Sequence, residues 1–262
     1  MYLNNHTFVI PAYGQSAYLE LCIESLLAQT VKSDIILTTS TPSAYLENMA
    51  ANYNIPYFIN TQKVGIAGDW NFALSKADTP YITIAHQDDI YMPDYTETVI
   101  PAMNGREVLI AFTAYADLIE GTSHTHSVNA LVKKFLLFPF IFTKSIKSTF
   151  FKKAILALGD PICCPSVTFN RELLPHFSFS ADYTCALDWF AWYELAKHPG
   201  AFLYINKALV KHRIHPASET TAQLANGKRA GEELQLFELM WGQPIAGIIA
   251  RLYKMGHKAN RV

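Results

Sequence analysis

Charge is scarce in this sequence, and its scarcity excludes several classes of protein. Of the 262 residues 16% are charged, and the formal net charge is −1. So balanced a charge gives no electrostatic reason for a nucleic-acid partner, and we expect none. Half of the residues are apolar and 13% are aromatic, which predicts a packed core rather than disorder. Because a typical domain has roughly 25% charged residues, part of this surface is predicted to be apolar and to contact something.

Signals for membrane spans, secretion and disulfides are also missing. The longest aliphatic and aromatic run, 135–142, contains Pro139 and falls well short of the 18 or more residues of a span. The first residues lack a basic region, and their apolar run stops at Pro11, which predicts a strand rather than a signal peptide. Four cysteines without a C-x-x-C pair favour reduced, buried thiols. We therefore expect a cytoplasmic protein.

Short β-rich segments alternate with helical patterns through the first hundred residues. Strands are predicted over 7–10, 35–38, 57–59 and 81–85, and helices over 19–27 with Ser16 as N-cap, 43–52 and 68–76. This order predicts a mostly parallel, doubly wound α/β sheet. Ligands of such sheets bind beyond the carboxyl ends of the strands. The residues that follow each strand are therefore the candidates for a site.

The second half is less regular. Strands are predicted over 108–116, 166–169, 202–205 and 208–212, and helices over 94–103, 187–197 and from 226 onward. Asp94 with Glu97 resembles a capping box for the first of these helices. We expect a nucleotide-binding half, an irregular second half and a helical tail.

Two adjacent carboxylates, Asp88 and Asp89, directly follow the strand at 81–85. Divalent cations such as Mg²⁺ and Mn²⁺ prefer oxygen ligands and keep open positions for substrate phosphates. A cation site is one interpretation of this pair. The alternative is a solvated turn that caps the next helix.

Four motifs in register decide between them. Pro11-Ala-Tyr13, the helix end 25–29, Gly65 with Asn71, and 86–89 (His-Gln-Asp-Asp) occur in the order and spacing of family 2 glycosyltransferases of the GT-A fold. The chain resembles a bacterial member of that family from about residue 7 to 220. The resemblance implies a GT-A domain over 1–220, with a nucleotide-sugar-binding half over about 1–104 and an acceptor half over 105–220. A helical extension over 221–262 follows.

The resemblance also implies a donor site. Pro11 and Tyr13 would lie against the nucleotide base, where an aromatic ring can stack. The family usually ends its second strand in an Asp pair, but here Thr39 and Ser40 replace the carboxylates, and Asp69 could supply the missing acceptor. Asn71 belongs to the same set. Because of this departure the identity of the base stays open, with a UDP-sugar as the first expectation.

The implied cation site departs from the family as well. His86 stands in the first position of the usual D-x-D motif, and Gln87 and Asp88 follow it. Asp88 keeps the role of ligand to Mn²⁺ or Mg²⁺, with Asp89 in support, while His86 could bind a sugar hydroxyl or the ion. His215, and after it Arg213, would complete the coordination or hold the leaving diphosphate.

The implied general base is Asp188, at the start of the helix over 187–197. A carboxylate there can take the proton of the attacking sugar hydroxyl. Leu187 replaces the acid that customarily precedes it. The implied activity is inverting transfer of a sugar to a glycan or lipid-linked glycan. Two alternatives remain: a nucleotidyltransferase, and a non-catalytic sugar- or nucleotide-binding module.

Two segments bear on location. Residues 131–154 contain six lysines and no acid among many phenylalanines, and 244–262 is similarly basic and apolar. Such segments suit an anionic membrane surface, so we predict peripheral contact at the inner face of the membrane. An acceptor-side lid packed on the last helix is the other interpretation.

Overall fold

The computed structural model describes residues 2–62, 65–124, 128–215 and 228–259. Within these ranges one mixed sheet holds ten strands. In chain order they are β1 (Tyr2–Ala12), β2 (Lys32–Thr39), β3 (Tyr57–Ile59), β4 (Tyr81–Ile84), β5 (Ile90–Tyr91), β6 (Val108–Ile119), β7 (Thr122–His124), β8 (Ser145–Ile146), β9 (Val167–Asn170) and β10 (Ala201–Ile214). The helices are α1 (Leu19–Leu27), α2 (Ala44–Asn52), α3 (Gly65–Leu74), α4 (Tyr95–Met103), α5 (Val128–Leu136), α6 (Thr149–Ala154), α7 (Leu187–Leu195), α8 (Lys228–Trp241) and α9 (Ile245–Ala259).

The strand order is β3-β2-β1-β4-β9-β6-β10-β5, with β7 beside β6 and β8 beside β10. Strands β1 to β4 run parallel, as their alternation with helices predicts. Strand β9 is antiparallel to both β4 and β6, while β6 and β10 are parallel to each other. Two reversals restore the original direction, so β10 runs the same way as β4. The predicted α/β fold is confirmed, and the carboxyl ends of β1, β2, β4 and β10 share one edge.

Two apolar clusters cover the two faces of this sheet. Phe8 and Ile10 belong to one cluster and Val9 to the other, because successive strand residues point to opposite faces. The cluster around Val9 also includes Trp189 of α7 and Phe237 of α8. The C-terminal helices are therefore part of a main core. Among the described residues, no helix combines the length and apolarity needed to cross a membrane.

Three local predictions are wrong in detail. Ser16 accepts a hydrogen bond from the Tyr18 amide, before α1 begins, so it is not the N-cap. Asp94 pairs with Lys207, and Glu97 accepts from Thr30, so these acids do not form a capping box. The two strands predicted over 202–212 are one strand, β10. Its register with β6 shifts between Ile205 and Val210, and these irregularities interrupt the apolar pattern.

His6, on β1, is fully buried, and its ring contacts the neighbouring strands β2 and β4. Its Nδ1 lies 2.9 Å from Ser33 Oγ and its Nε2 lies 2.9 Å from Thr83 Oγ1. Burial lowers the pKa of His6 from 6.5 to about 3. The folded protein therefore keeps this ring neutral at a pH where the unfolded chain binds a proton.

We expect His6 to destabilise the fold in acid. Its contribution is complete above pH 6.5 and is lost as the pH falls from there toward 3, by about 2 kcal/mol between pH 7.5 and 5. Urea unfolding at the two pH values should show this loss in the wild type and a smaller one in His6→Gln. The exposed His176→Gln is the control and should behave as the wild type. An equal pH dependence in His6→Gln and wild type would contradict the assignment.

Candidate active site

Three potential cation ligands meet at the end of β4. Ligand atoms of His86, Asp88 and Asp89 all lie within 4.8 Å of one another. His86 Nδ1 is 3.9 Å from Asp89 Oδ2. The buried atoms Asp89 Oδ2 and His86 Nε2 have no hydrogen-bond partner within the described part of the chain. Because a buried polar atom without a partner is costly, an unpartnered carboxylate oxygen within this group of three side chains fits a divalent cation.

The end of β10 closes this site from the other side. His215 Nε2 lies 3.0 Å from Asp88 Oδ2. The backbone amide of Arg213 donates to Asp89 Oδ1 at 2.7 Å, and its Nε donates to the Asp88 carbonyl at 2.8 Å. The Arg213 guanidinium also lies 4.2 Å from the centre of the Tyr18 ring. Both acids are thus fixed by residues more than 120 positions away.

Burial controls the charges of this cluster. It raises the pKa of Asp89 to about 7, against the opposing effects of His212 and Arg213. It lowers the pKa of His86 to about 4. Burial also opposes protonation of His212, but the neighbouring Asp117, 3.6 Å from its Nδ1, and Asp89 raise the pKa of that imidazole overall. His86 is therefore a neutral imidazole near pH 7, the form that binds metal ions.

The loop that follows β1 is hydrogen-bonded to Gln87, within the cation cluster, which consists of the potential ligands His86, Asp88 and Asp89 and the residue between them. The Tyr13 amide donates to Gln87 Oε1 at 3.1 Å, and Gln87 Nε2 donates back to the Tyr13 carbonyl at 3.2 Å. The Tyr13 side chain, two residues after Pro11, is 66% exposed. A ring held at its backbone and open on its faces can stack on a base.

Ser40 and Asp69, both expected in the donor site, lie together at the end of β2. Ser40 Oγ donates to Asp69 Oδ2 at 2.7 Å, so the hydroxyl and the carboxylate are neighbours. Asn60 Nδ2 donates to the other Asp69 oxygen at 3.0 Å. Thr39 Oγ1 accepts from the Thr41 amide within the same loop.

A cavity of about 470 Å³ lies beside Asp69. Asn60, Gln62, Asn71 and Phe72 are among its lining residues, and the 86–89 cluster is not. Both polar groups of the Asn71 side chain bond the backbone of Phe179, at 2.9 and 2.7 Å. These two bonds hold Asn71 in its place in the lining.

Asp188 lies in the first turn of α7. Its Oδ1 accepts from the Trp189 amide at 2.8 Å. Burial raises its pKa, and the Trp189 amide and the charges of Arg229 and Lys133 oppose that rise. A carboxylate whose pKa is moved toward neutrality is suited to general base catalysis.

The sequence interpretation missed Asp160, Lys133 and Arg229, which surround Asp188 electrostatically. Burial and then the charge of Asp188 raise the pKa of Asp160 well above its usual value. An acid between Gly159 and Pro161 has the composition of a turn, so no local pattern could distinguish it. Asp160 is thus a second acid within electrostatic range of Asp188.

The charges of Asp188 and Asp89 both act on one buried thiol, that of Cys164. Burial, then the charge of Asp188, then weaker effects that include Asp89, raise the pKa of Cys164. Asp89 and Asp188 are therefore both within electrostatic range of the turn that leads into β9.

An α/β sheet with acids, an arginine and a histidine at one edge agrees with the predicted glycosyltransferase class. A family model described as glycosyl transferase family 2 matches residues 7–175, and the chain belongs to this family. A curated protein of Rickettsia typhi, described as an uncharacterized glycosyltransferase, is 25% identical over 95% of this chain and 72% of its own length. The predicted family and the enzyme class are confirmed.

Solved structures share the fold. Staphylococcus aureus TarS 1-349 in complex with UDP-GlcNAc has a TM-score of 0.62 and 13% identity, covering 90% of this chain and 66% of that one. This chain thus spans slightly less than two thirds of the TarS fragment. A mannosyltransferase of Pyrobaculum calidifontis in complex with GDP-Man and Mn²⁺ has a TM-score of 0.60 and 14% identity, covering 98% and 76%. The predicted GT-A fold is confirmed.

We expect Asp88→Asn to weaken Mn²⁺ binding in the presence of UDP by about tenfold or more, because a neutral amide replaces a charged ligand. Titration calorimetry or the electron paramagnetic resonance signal of Mn²⁺ would measure it. The exposed Asp78→Asn should bind as the wild type does. Unchanged Mn²⁺ affinity in Asp88→Asn, together with donor turnover that resists chelators, would remove the cation assignment.

Proposed function

We propose that this chain is an inverting glycosyltransferase that moves a sugar from a UDP-sugar to a hydroxyl group of a glycan or lipid-linked glycan. The observation that carries the proposal is the contact of Asp88 and Asp89 with Arg213 and His215 at one edge of the sheet. There the residues offer acids for a cation and donors for a diphosphate. UDP-GlcNAc in the TarS structure supports a uridine donor.

The reaction follows from these groups. The acceptor oxygen attacks the anomeric carbon from the side opposite the diphosphate, while Asp188 takes its proton and the carbon–oxygen bond to the diphosphate breaks. The electron pair of that bond stays on the diphosphate, and Arg213 and His215 stabilise its negative charge by hydrogen bonding. A divalent ion, Mn²⁺ or Mg²⁺, would be held by His86, Asp88 and Asp89 and would offset that charge when bound. Attack from the opposite side inverts the anomeric configuration.

The donor test is incubation of the purified protein with UDP-GlcNAc, UDP-glucose and GDP-mannose, with Mn²⁺ and a set of glycan acceptors. We expect release of a nucleoside diphosphate, fastest with a UDP-sugar. Release of pyrophosphate would instead indicate nucleotidyl transfer. Binding of every donor without turnover would contradict the proposed reaction.

Asp188→Asn should lower kcat by about a hundredfold or more and leave the KM of the donor nearly unchanged, because a general base acts on the acceptor. Steady-state kinetics with the best donor and acceptor would measure both constants. Asp182→Asn, an exposed acid in the preceding loop, is the matched control and should keep wild-type rates. Equal rates in Asp188→Asn and the control would exclude Asp188 as the base.

We also propose that the acceptor is approached at an anionic membrane surface on the cytoplasmic side. Residues 131–154 expose several large apolar side chains, with Phe142 at 78% and Phe150 at 73%. Lys134 and Lys144 are exposed nearby, whereas Lys152 points inward and donates to the carbonyls of His198 and Gly200. Exposed Ile248 and Leu252 of α9 add to the apolar surface. Cations beside exposed aromatic rings favour an anionic lipid surface.

Flotation with vesicles of phosphatidylglycerol and phosphatidylethanolamine tests this surface. We expect the wild type to float with the vesicles, and the double variant Phe142→Ser/Phe150→Ser to remain largely in the dense fraction. Phe58→Ser, a partly exposed phenylalanine on β3, should float as the wild type does. A wild type that ignores anionic vesicles would refute the membrane contact while leaving the transfer reaction intact.

A further inference from the structure

The N-terminus of the helix that carries Asp188 is held by a side chain from another element. Both oxygens of the Glu232 carboxylate, on α8, accept from the Thr184 amide at 3.0 Å. The carboxylate also accepts from the Thr184 hydroxyl at 2.8 Å, the Cys185 amide at 2.7 Å and the Ala186 amide at 2.9 Å. Three successive backbone amides thus converge on one acid, immediately before α7 begins.

This position has a physical demand that Glu232 meets. Amides that precede a helix have no acceptor within it, and the partial positive charge at a helix N-terminus favours an anion. Ala186, which directly precedes α7, has no side-chain oxygen, so the acceptor at this end of the helix comes from α8. Burial opposes ionisation of Glu232, but the bonds from Ala186, Cys185 and Thr184 outweigh it and lower the pKa of the acid. The carboxylate therefore stays charged although it is only 6% exposed.

The element that supplies Glu232 is firmly seated on α7. Phe237 of α8 packs edge-on against Trp189 of α7, with ring centres 5.0 Å apart. Arg229, one turn before Glu233, donates to that acid at 2.8 Å, and its charge also reaches Asp188. One face of α8 therefore contacts the start of α7 twice, through Glu232 at residues 184–186 and through Phe237 at Trp189.

We propose that Glu232 is a positioning residue for the transfer step: by fixing the amides of Thr184, Cys185 and Ala186, it sets the place of Asp188 two residues further on. The proposal rests on the function of Asp188 as the base. A displacement of about 1 Å in a catalytic group can cost up to a hundredfold in rate. Glu232 therefore affects kcat by holding residues 184–186, which end two residues before Asp188, and it does so without touching either substrate.

The kinetic test is a double-mutant cycle. Glu232→Gln should lower kcat for sugar transfer by about tenfold to a hundredfold and leave the affinity for UDP with Mn²⁺ unchanged. On the Asp188→Asn background the same substitution should have almost no further effect, because the base that it positions is gone. Glu238→Gln, the same change elsewhere on α8, is the control and should keep the wild-type rate. Equal losses from Glu232→Gln on both backgrounds would show a merely structural role and overturn the proposal.

Hydrogen exchange supplies a readout that needs no turnover. The amides of 184–186 should exchange about tenfold faster in Glu232→Gln than in the wild type and Glu238→Gln, since each loses a charged acceptor. Unchanged exchange there would overturn the proposal. If Glu232→Gln does not fold, Thr184→Val replaces it in both tests and removes one donor from the other side. A wild type without donor turnover would refute the proposed function, while the exchange result would still decide whether Glu232 holds this segment.

Discussion

The hydrogen bond from the Arg213 amide to Asp89 depends on the directions of the strands that lie between β4 and β10 in the sheet. Strand β9 runs against β4 and β6, and the second reversal brings β10 back to the direction of β4. The carboxyl ends of β4 and β10 therefore lie at the same edge, and the pairing of β5 with β10 brings Asp89 beside Arg213 although 124 residues separate the bonded groups. Had the number of reversals been odd, Arg213 and His215 would lie at the opposite edge. The chemistry of the site is thus a consequence of sheet topology.

Burial gives the site its second property. Four side chains have pKa shifts that favour the neutral form: His86, Asp89, Asp160 and Asp188. In each of them desolvation is the largest cause of the shift. Polar groups that are shielded from water in this way interact more strongly with a charged ligand than they would on an exposed surface. The near-neutral composition of the chain conceals this local arrangement, because acidic and basic side chains stand beside one another in the site.

The sequence alone could predict those parts of the fold and site whose signals are local. Alternating strands and helices predict the parallel sheet, and Asp88 and Asp89 directly follow a strand, so their place at its edge follows from the pattern. Glu232 and Asp160 carry no such signal, since their roles arise from packing between segments about 30 to 50 residues apart. The continuity of β10 was missed for a different reason: bulges break the two-residue period that identifies a strand.

The seating of α8 on α7 has a consequence for recombination among related enzymes. The chain passes from His215, at the donor side, to Glu232, which holds the helix of Asp188, within about twenty residues. A chimera that took its last forty or so residues from a relative without an acid at the position of Glu232 would lose this anchor of α7 together with the old tail. Modules of this chain are therefore not freely interchangeable at that boundary, and a successful exchange must carry α7 and α8 as a matched pair.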